Sequence, residues 1–352
     1  MNKVLIVATS RKTRGGITSV VKAHEAGEQW RKFHCKWIQT HIDTTPFAKI
    51  CYFVSALIQF IFLLPFYDLV HIHMAAVNRK LPFVFLTKLF RKKLILHLHF
   101  PQVETTINDK RLSPRYRWCM EKADVVVVLS YKWKEIIEAA YEEIKNIRVI
   151  YNPCPIVRRD ITEKKDKYIL YAGNLEHRKG YDDLIKAFAK VHAQCAGWRL
   201  VFAGNGEIER GKQLSVDNGI SNMCTFLGWV SGVEKERAFQ LASAYCLPSY
   251  AEGFPMGVLD AWAYGLPVIT TPVGGLPDII RDGENALINN PGDIEALAKN
   301  IVRMTNSEIR HSIASESVRL ADGIFSVEEI NKQIGNLYAE VIKGNSVPPH
   351  TL

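Results

Sequence analysis

Short apolar runs alternate with amphipathic stretches along the second half of the chain. The apolar runs end in small or turn residues, and they read KYILYAGNL, WRLVFAGNG, CTFLGWV, AYCLPSY and LPVITTPV. The stretches between them are typical of helices; DDLIKAFAKVHAQC, for example, has its large apolar residues at helical spacing. Strand–helix alternation of this kind predicts an α/β domain with a parallel sheet and helices on both faces.

The first half repeats the pattern in KVLIVATS, DLVHIHM, KLILHLHF, DVVVVLS and IRVIYN, so we predict two doubly wound α/β domains. The polar stretch PIVRRDITEKKDK lies between them. The predicted boundaries are an N-terminal domain over 1–155, a linker over 156–167 and a C-terminal domain over 168–325. A final helix is predicted over 326–345, with Ser326 as N-cap and Glu329 three residues later, packing back on the N-terminal domain. The tail SVPPHTL is expected to fray.

One uncharged and mostly apolar run, ICYFVSALIQFIFLLPF at 50–66, resembles a membrane span in composition. A span needs about 20 such residues. This run contains Ser55 and Gln59, reaches Pro65 and leads directly into a buried-strand pattern. We therefore interpret it as a core helix, or as a helix pressed against a membrane surface. The N-terminal run MNKVLIVATS is too short for a signal peptide and predicts a first buried strand.

The composition suits a protein with two large cores. The chain has 352 residues, of which 47% are hydrophobic. Its seven cysteines are scattered, and none forms a C-x-x-C pair. This pattern favours reduced thiols in a cytoplasmic protein over a disulfide framework or a zinc site.

The charge is divided unequally between the halves. Residues 1–155 hold 24 Lys and Arg against 12 Asp and Glu, whereas residues 156–352 hold 21 against 24. A basic half indicates an anionic partner: nucleic acid, acidic lipid or a phosphorylated substrate. A solvated basic face is the alternative. Nucleic acid is disfavoured, because aromatic residues do not interleave with the basic clusters as stacking platforms would.

Two loops that follow predicted strands suit a phosphate group, and ligands of open parallel sheets bind at such strand ends. Gly15 and Gly16 follow KVLIVATS and precede a predicted helix. They do not form G-x-G-x-x-G, so the dinucleotide fingerprint is absent and a plain turn is the alternative. Arg178 and Lys179 follow YILYAGN just before a helix, where adjacent cations suit a diphosphate. A solvated loop is the alternative there.

Two H-x-H patterns lie in the first half. Alternation places His71 and His73 on one face of a strand, and likewise His97 and His99. The four imidazoles could meet at a metal ion, or they could be buried with satisfied hydrogen bonds. His99 ends its strand and is therefore the better candidate for contact with a ligand.

The stretch AEGFPMGVLDAWAYGLPVITT holds two carboxylates beside a predicted helix. Pro255 fits the first helical turn, Gly265 ends the helix, and the helix N-terminus would favour phosphate oxygens. Glu252 precedes this anion site, and Asp260 lies about one turn inside the helix. Two carboxylates without basic neighbours would suit sugar hydroxyls. The alternative is a capping acid and an exposed helix acid.

With these residues, the second half resembles the retaining glycosyltransferases of family 4, which have the GT-B fold. The family signature is a Glu, seven residues and a second Glu; here it reads Glu252-Gly-Phe-Pro-Met-Gly-Val-Leu-Asp260. The similarity covers most of 168–290. It continues more loosely in the first half, in RGGITSV, DLVHIHMA, LILHLHF and ADVVVVLS. The resemblance implies two Rossmann-like domains that face a central cleft, with a sugar nucleotide held mainly by the second.

The resemblance also implies a role for each matching residue. Arg178 and Lys179 would bind the diphosphate, Glu252 the hydroxyls of the donor sugar and the acid at 260 the ribose. The implied catalytic residues are Glu252, His99, Arg178 and Lys179. The implied donor-binding residues are Gly15, Gly16, Asn174, Arg178, Lys179, Gly204, Trp229, Val230, Glu252, Phe254, Pro255, Met256, Gly257 and Asp260. The family needs no metal and no cofactor, which fits the lack of a D-x-D motif here.

The sequence departs from the family pattern at Asp260, at Asp278 and at Phe100, where Glu, Glu and Gly are common. The expected function is transfer of a hexose or N-acetylhexosamine from a UDP-sugar to a glycan or polyprenyl-diphosphate-linked acceptor, in lipopolysaccharide or capsule biosynthesis. The alternatives are an epimerase or inverting transferase on this fold, or a non-catalytic sugar-nucleotide module. We expect a cytoplasmic protein that contacts an anionic membrane peripherally through its basic half, with Lys88, Arg91, Lys92 and Lys93 beside FVFLTKLF.

Overall fold

The computed structural model describes residues 2–99, 103–159 and 165–344. The chain divides into an N-terminal unit, Met1–Pro153 with Val327–Leu352, and a C-terminal unit, Cys154–Ser326. Phe100, part of the proposed linker and the tail SVPPHTL lie outside the described residues.

A six-stranded parallel sheet forms the centre of the N-terminal unit, in the order β2-β1-β3-β4-β5-β6. Its strands are β1 Val4–Ala8, β2 Lys36–Gln39, β3 Leu69–Met74, β4 Lys93–Leu98, β5 Val125–Val128 and β6 Ile147–Val149. Its helices up to residue 153 are α1 Gly16–Glu25, α2 Glu28–Lys32, α3 Pro46–Leu63, α4 Leu81–Leu89, α5 Val103–Asn108, α6 Ser113–Lys122 and α7 Tyr131–Ala140. Five of these strands match the predicted runs. The sequence analysis missed β2, since its four residues KWIQ include Lys and Gln and form no apolar run.

The C-terminal unit has a second six-stranded parallel sheet, in the order β12-β11-β10-β7-β8-β9. Its strands are β7 Tyr168–Ala172, β8 Arg199–Ala203, β9 Cys224–Gly228, β10 Ala244–Leu247, β11 Val268–Thr270 and β12 Leu287–Ile288. Its helices are α8 Tyr181–Val191, α9 Ile208–Asp217, α10 Val233–Gln240, α11 Met256–Ala263, α12 Ile294–Met304 and α13 Ser307–Asp322. The prediction of a doubly wound parallel sheet is confirmed in each unit.

The last helix, α14 Val327–Lys343, belongs to the N-terminal unit. One face of it is apolar, and its residues Ile330, Ile334, Leu337 and Tyr338 join Val4 and Ile6 in one buried cluster. The core of this unit is therefore built from both ends of the chain.

Helix α3 corrects one interpretation from the sequence. Within it only Ala56 and Phe60 are buried, so the reading as a core helix is wrong. It is the one helix among the described residues that is long and apolar enough to cross a membrane by length and composition. The physical reason for its exposure is its position: it packs beside β2, a four-residue edge strand that offers little surface to cover an 18-residue helix.

Candidate active site

The candidate site of the C-terminal unit lies at the point in the sheet where the order of the strands reverses. From β7, the chain continues to β8 on one side, while β10 and β11 lie on the other. The carboxyl ends of two strands that diverge in this way form the usual ligand crevice of an open α/β sheet. The loop after β7 carries Arg178 and Lys179, and the loop after β10 carries Glu252.

The backbones of these two loops are in direct contact. Residues His177–Lys179 form a 3₁₀ turn that ends at Gly180, whose φ is +70°. The Tyr250 N–H donates to the Arg178 carbonyl at 2.7 Å. A Cβ at residue 180 would lie 2.2 Å from the Pro248 carbonyl oxygen, so only glycine fits there. This contact fixes both cations against the Glu252 loop.

Glu252 is at the centre of a charged cluster, and its side chain is only 8% exposed. Its Oε1 accepts from Lys179 Nζ at 2.8 Å and from Ser249 Oγ at 2.9 Å. Arg178 Nη1 lies 3.8 Å from Glu252 Oε2, and the same guanidinium donates to the Ala251 carbonyl and to Glu176. The prediction that this carboxylate has no basic neighbour is wrong. Its partner Lys179 lies 73 residues earlier and reaches it because β7 and β10 are adjacent.

Asp260 is also paired, which corrects the same prediction for the second acid. It lies on α11 and accepts from Lys235 Nζ of α10 at 2.7 Å. Burial raises the pKa of Asp260, while the ammonium of Lys235 acts in the opposite direction. The ammonium of Lys235 therefore favours the charged form of this largely buried carboxyl, the form that only accepts hydrogen bonds.

Replacing Lys235 by Met should leave the Asp260 carboxylate buried and unpaired. We expect the pKa of Asp260 to rise further, and the free energy of unfolding at neutral pH to fall by about 1–3 kcal/mol. Below the ordinary pKa range of Asp the carboxyl is neutral, and the difference from wild type should disappear. Denaturant titrations at both pH values measure this. Lys212→Met breaks an exposed pair with Glu209 and should change little at either pH; an equal loss in both variants would contradict the assigned coupling.

Pro255 directly precedes α11, the helix that follows Glu252. Pro255 has φ −70° and ψ 113°, so it is the extended N-cap residue and not part of the first turn of α11. Phe254 is buried, and a Cβ at Gly257 would lie 2.1 Å from the Tyr245 hydroxyl. The N–H groups of Met256 and Gly257 belong to the first turn, where the backbone and the helix dipole favour anions.

The other residues implied in the C-terminal unit follow three neighbouring strands. Exposed Asn174 follows β7, Gly204 follows β8, and Trp229 and Val230 follow β9. The Trp229 N–H donates to Asn205 Oδ1 at 3.1 Å, a contact that the sequence analysis did not foresee. Asp278 lies in the 3₁₀ turn Leu276–Asp278, after β11.

Gly204 is required by packing, since a Cβ there would lie 1.8 Å from the Gly173 carbonyl oxygen. Gly204→Ala should push the loops after β7 and β8 apart and lower the free energy of unfolding by about 1–3 kcal/mol. Thermal unfolding measures the loss. Gly219→Ala is the control: open space surrounds that residue, and its positive φ should cost only about 1 kcal/mol. A smaller effect at residue 204 than at residue 219 would refute the packing argument.

In the N-terminal unit, the glycine pair and the histidines lie at or near strand ends. Gly15, with φ +152°, is the N-cap residue of α1, and Gly16 is its first residue. His71 and His73 of β3, and His97 and His99 at β4, stack on one face of the sheet as the alternation predicts.

Hydrogen bonds connect this histidine stack. The described contacts are His71 Nδ1 with the Tyr338 hydroxyl at 2.7 Å, His71 Nε2 with His97 Nδ1 at 3.3 Å, and His73 Nδ1 with His99 Nε2 at 2.9 Å. Ring nitrogens of His71, His73 and His97 lie within 4.8 Å of one another, close enough to suggest a metal. Both nitrogens of His71 already have partners, so the stack fits buried, hydrogen-bonded imidazoles better than three metal ligands.

The bonds also favour one tautomer for each ring. His73 Nε2 and His97 Nε2 are buried and have no partner among the described residues. A buried N–H without a partner is rarer than a buried acceptor without one, which favours protons on Nδ1 of both rings. His73 then donates to His99 Nε2, and His99 carries its own proton on Nδ1. Burial lowers the pKa of His99 to about 3, so the ring is neutral near pH 7.

Two family models match consecutive parts of the chain. The model described as Glycosyltransferase Family 4 matches residues 11–158, and the model described as Glycosyl transferases group 1 matches residues 156–320. The chain belongs to glycosyltransferase family 4.

Two relatives of this glycosyltransferase come from bacteria. N-acetyl-alpha-D-glucosaminyl L-malate synthase of Bacillus anthracis is 25% identical, over 78% of this chain and 75% of that protein. Lipopolysaccharide 1,6-galactosyltransferase of Salmonella typhimurium is 30% identical, over 55% of this chain and 55% of that protein.

Solved structures show the fold. HepE of Anabaena, crystallised in complex with UDP and glucose, matches with a TM-score of 0.80 and 18% identity, covering 97% of this chain and 100% of that chain. The predicted GT-B fold is confirmed, and the chain is a glycosyltransferase enzyme, as predicted.

The sequence analysis missed Ser249 and Lys235. Ser249 could have been noticed, because a small polar residue three positions before Glu252 at a strand end is within reach of that carboxylate. Lys235 gave no such signal: it is one of several charged residues on α10, and only the packing of α10 beside α11 distinguishes it.

Proposed function

We propose that this glycosyltransferase moves a hexose or an N-acetylhexosamine, with retention of anomeric configuration, from a UDP-sugar to a glycan or polyprenyl-diphosphate-linked acceptor in surface-polysaccharide biosynthesis. The observation that carries the proposal is the cluster of Lys179, Glu252 and Ser249 with Arg178. It lies at the carboxyl ends of the strands where the strand order reverses. The complex of HepE with UDP and glucose, and the galactosyltransferase of Salmonella typhimurium, support the donor class.

The cluster can serve the chemistry without moving far. When the anomeric bond breaks, the sugar gains positive charge and the diphosphate leaves as an anion. Lys179, Arg178 and the first turn of α11 would stabilise that anion, in place of a metal ion. The diphosphate would then replace Glu252 as the partner of Lys179, and Glu252 would accept from sugar hydroxyls. In such same-face transfer the leaving phosphate takes the proton of the attacking hydroxyl.

Other residues would bind the ribose, the base and further parts of the donor. Asp260, held charged by Lys235, would accept from the ribose hydroxyls, and Trp229 and Val230 would contact the base. Gly15 and Gly16 would let the diphosphate approach α1, and His99 would donate from Nδ1 to the donor sugar. The enzyme would be cytoplasmic, and the basic character of residues 1–155 supports peripheral contact with the anionic inner face of the membrane.

A binding screen in EDTA tests the donor. UDP-, GDP-, ADP- and TDP-sugars are compared by thermal shift; the matching nucleotide at 100 times its Kd should stabilise the fold by about 2.7 kcal/mol. Arg178→Gln should abolish the shift, whereas Arg210→Gln, an exposed residue on α9, should keep it. A shift that needs a divalent metal, or one that persists in Arg178→Gln, would refute the metal-free diphosphate site.

Turnover separates the rival functions. With acceptor present, the anomeric proton of the product, observed by NMR, should show the configuration of the donor. An inverted product would indicate an inverting transferase, and a new sugar nucleotide formed without acceptor would indicate an epimerase. Binding without turnover on any acceptor would indicate a non-catalytic module.

A further inference from the structure

We infer that the exposed apolar face of α3, together with the exposed apolar residues at the end of α4, docks the N-terminal unit on the surface of an anionic lipid bilayer. This α3–α4 face consists of Phe47, Ile50, Val54, Ile58, Phe62, Phe66, Phe85, Leu89 and Phe90. The inference deepens the proposed membrane contact by naming its surface, and it does not depend on the identity of the donor.

The apolar residues of α3 form one continuous stripe. Phe47, Ile50, Val54, Ile58 and Phe62 are spaced by three or four residues, and they are between 47% and 77% exposed. Single exposed apolar residues are ordinary on protein surfaces, but a contiguous stripe of this length marks an interaction site.

Helix α4 extends the stripe sideways. Phe83 of α4 is buried between the helices, where Phe53 and Phe60 of α3 pack edge-on against its ring at 5.8 and 5.0 Å. The same helix exposes Phe85 and Leu89 to solvent, at 55% and 62%. The two helices are packed against each other, and each of them exposes apolar side chains to solvent.

The helices that carry this face contain no acidic residue. The sequence contains no Asp or Glu from Thr44 to Tyr67, and none from Leu69 to Val103. Lys88 lies in the last turn of α4, and Arg91, Lys92 and Lys93 follow that helix. Lys88 and Lys93 pair with Asp124, Lys92 donates to the Pro65 carbonyl beside the end of α3, and Arg91 is exposed. Cations at the rim of an apolar face complement anionic lipid headgroups.

The strand pairing around α3 indicates that this helix lies on a bilayer and does not cross it. Strands β2 and β3, which precede and follow α3, both pair with β1 in one sheet. A spanning α3 would put β2 and β3 on opposite sides of the membrane and break that sheet. An 18-residue helix is about 27 Å long, and it can lie flat with its apolar face in the headgroup region.

The same charges argue against a second copy of the chain as the occupant. Two α3–α4 faces brought together would place their basic rims, each with an exposed Arg91, close to each other, which is unfavourable. Anionic lipid supplies the balancing charge and also receives the apolar side chains.

Vesicle binding of the full chain, without any donor, tests the inference. We expect sedimentation with vesicles of phosphatidylcholine and phosphatidylglycerol, weaker binding at high salt, and much weaker binding to phosphatidylcholine alone. Ile58→Ser with Phe62→Ser should weaken binding about 10- to 100-fold. Val233→Ser is the matched control, because Val233 is 77% exposed on α10 of the C-terminal unit, and it should bind like wild type. Equal binding of all three proteins, or none, would overturn the inference.

Two further measurements distinguish the other occupants. Cys51 lies on α3 and is the exposed one of the seven cysteines, so an environment-sensitive dye attached there should shift to the blue on anionic vesicles. Sedimentation equilibrium without lipid should give a monomer for wild type and for the double variant. A wild-type dimer that the double variant loses, with no dye shift on vesicles, would assign the face to a second copy instead. A failed donor screen together with intact vesicle binding would reject the proposed donor and leave this inference standing.

Discussion

Lowering the pH from about 7.5 to about 5 should unfold the N-terminal unit, because its buried histidines must take up protons. His24, His71, His73 and His97 are at most 3% exposed. Burial lowers the pKa of His24 to about 4 and places the pKa values of the other three well below 6.5. In the unfolded chain all four titrate near 6.5. The stabilisation is therefore complete above pH 6.5 and is lost as the pH falls from 6.5 toward the folded pKa.

The expected size is large. At pH 5, a histidine that is neutral when folded and protonated when unfolded costs about 2 kcal/mol. Four such groups together are comparable with the roughly 5–15 kcal/mol that holds a domain folded. Urea titrations at several pH values measure the slope of the unfolding free energy against pH.

Single variants isolate the contribution of one ring. His24 Nδ1 donates to Asn331 Oδ1 at 2.8 Å, and an Asn at position 24 retains a donor without titrating. His24→Asn should reduce the slope between pH 6 and 5 by about 1.2 kcal/mol per pH unit. His311→Gln, which replaces an exposed histidine on α13 of the C-terminal unit, is the control with which the slope of His24→Asn is compared. An unchanged slope in His24→Asn would show that burial of this ring does not drive the acid transition.

Glu252→Gln should reduce turnover by about 100- to 1000-fold while the enzyme still binds UDP. The amide has the size of the carboxylate, and its oxygen can still accept from Lys179 and Ser249, so the fold should remain intact. The charge that orients sugar hydroxyls is lost, but Lys179 and Arg178 remain to hold the diphosphate. A fall in kcat with little change in the Kd of UDP is thus the expected split.

Calorimetric titration measures the Kd of UDP, and transfer kinetics measure kcat. Glu209→Gln on α9 is the control, since its side chain is exposed and its partner Lys212 is a surface residue. Near-normal turnover in Glu252→Gln would remove Glu252 from the mechanism. Loss of UDP binding along with turnover would instead make it a structural support of the cation loop.

Long apolar runs made most of the fold predictable. β3 and β4 each have six residues, most of them apolar. Helices such as α8 have a clear apolar face. The missed strands are β2 and β12: in β2 the residues KWIQ include Lys and Gln and form no apolar run, and β12 has only two residues. Hydrophobicity also left a buried α3 open, as one of two interpretations. Burial depends on which strand lies beneath a helix, and the sequence did not reveal that the strand is the short edge strand β2.

The candidate site was predictable in its residue types but not in its pairings. The motifs around Arg178 and Glu252 lie at strand ends, and strand ends can be read from the sequence. That Lys179 binds Glu252, and Lys235 binds Asp260, follows from strand order and helix packing, which bring together residues 73 and 25 positions apart. The assumption that the acids had no basic neighbours failed because it considered only neighbours in sequence.

The position of α14 has a consequence for biosynthesis. The C-terminal unit is made from one continuous segment, and it can fold as soon as that segment has left the ribosome. The core of the N-terminal unit lacks Ile330, Ile334 and Leu337 until the last helix has been synthesised. Although it is translated first, this unit is completed last, and its apolar strands must wait for the end of the chain. A chain truncated after residue 326 and released would hold a finished C-terminal unit and an N-terminal unit open to chaperones.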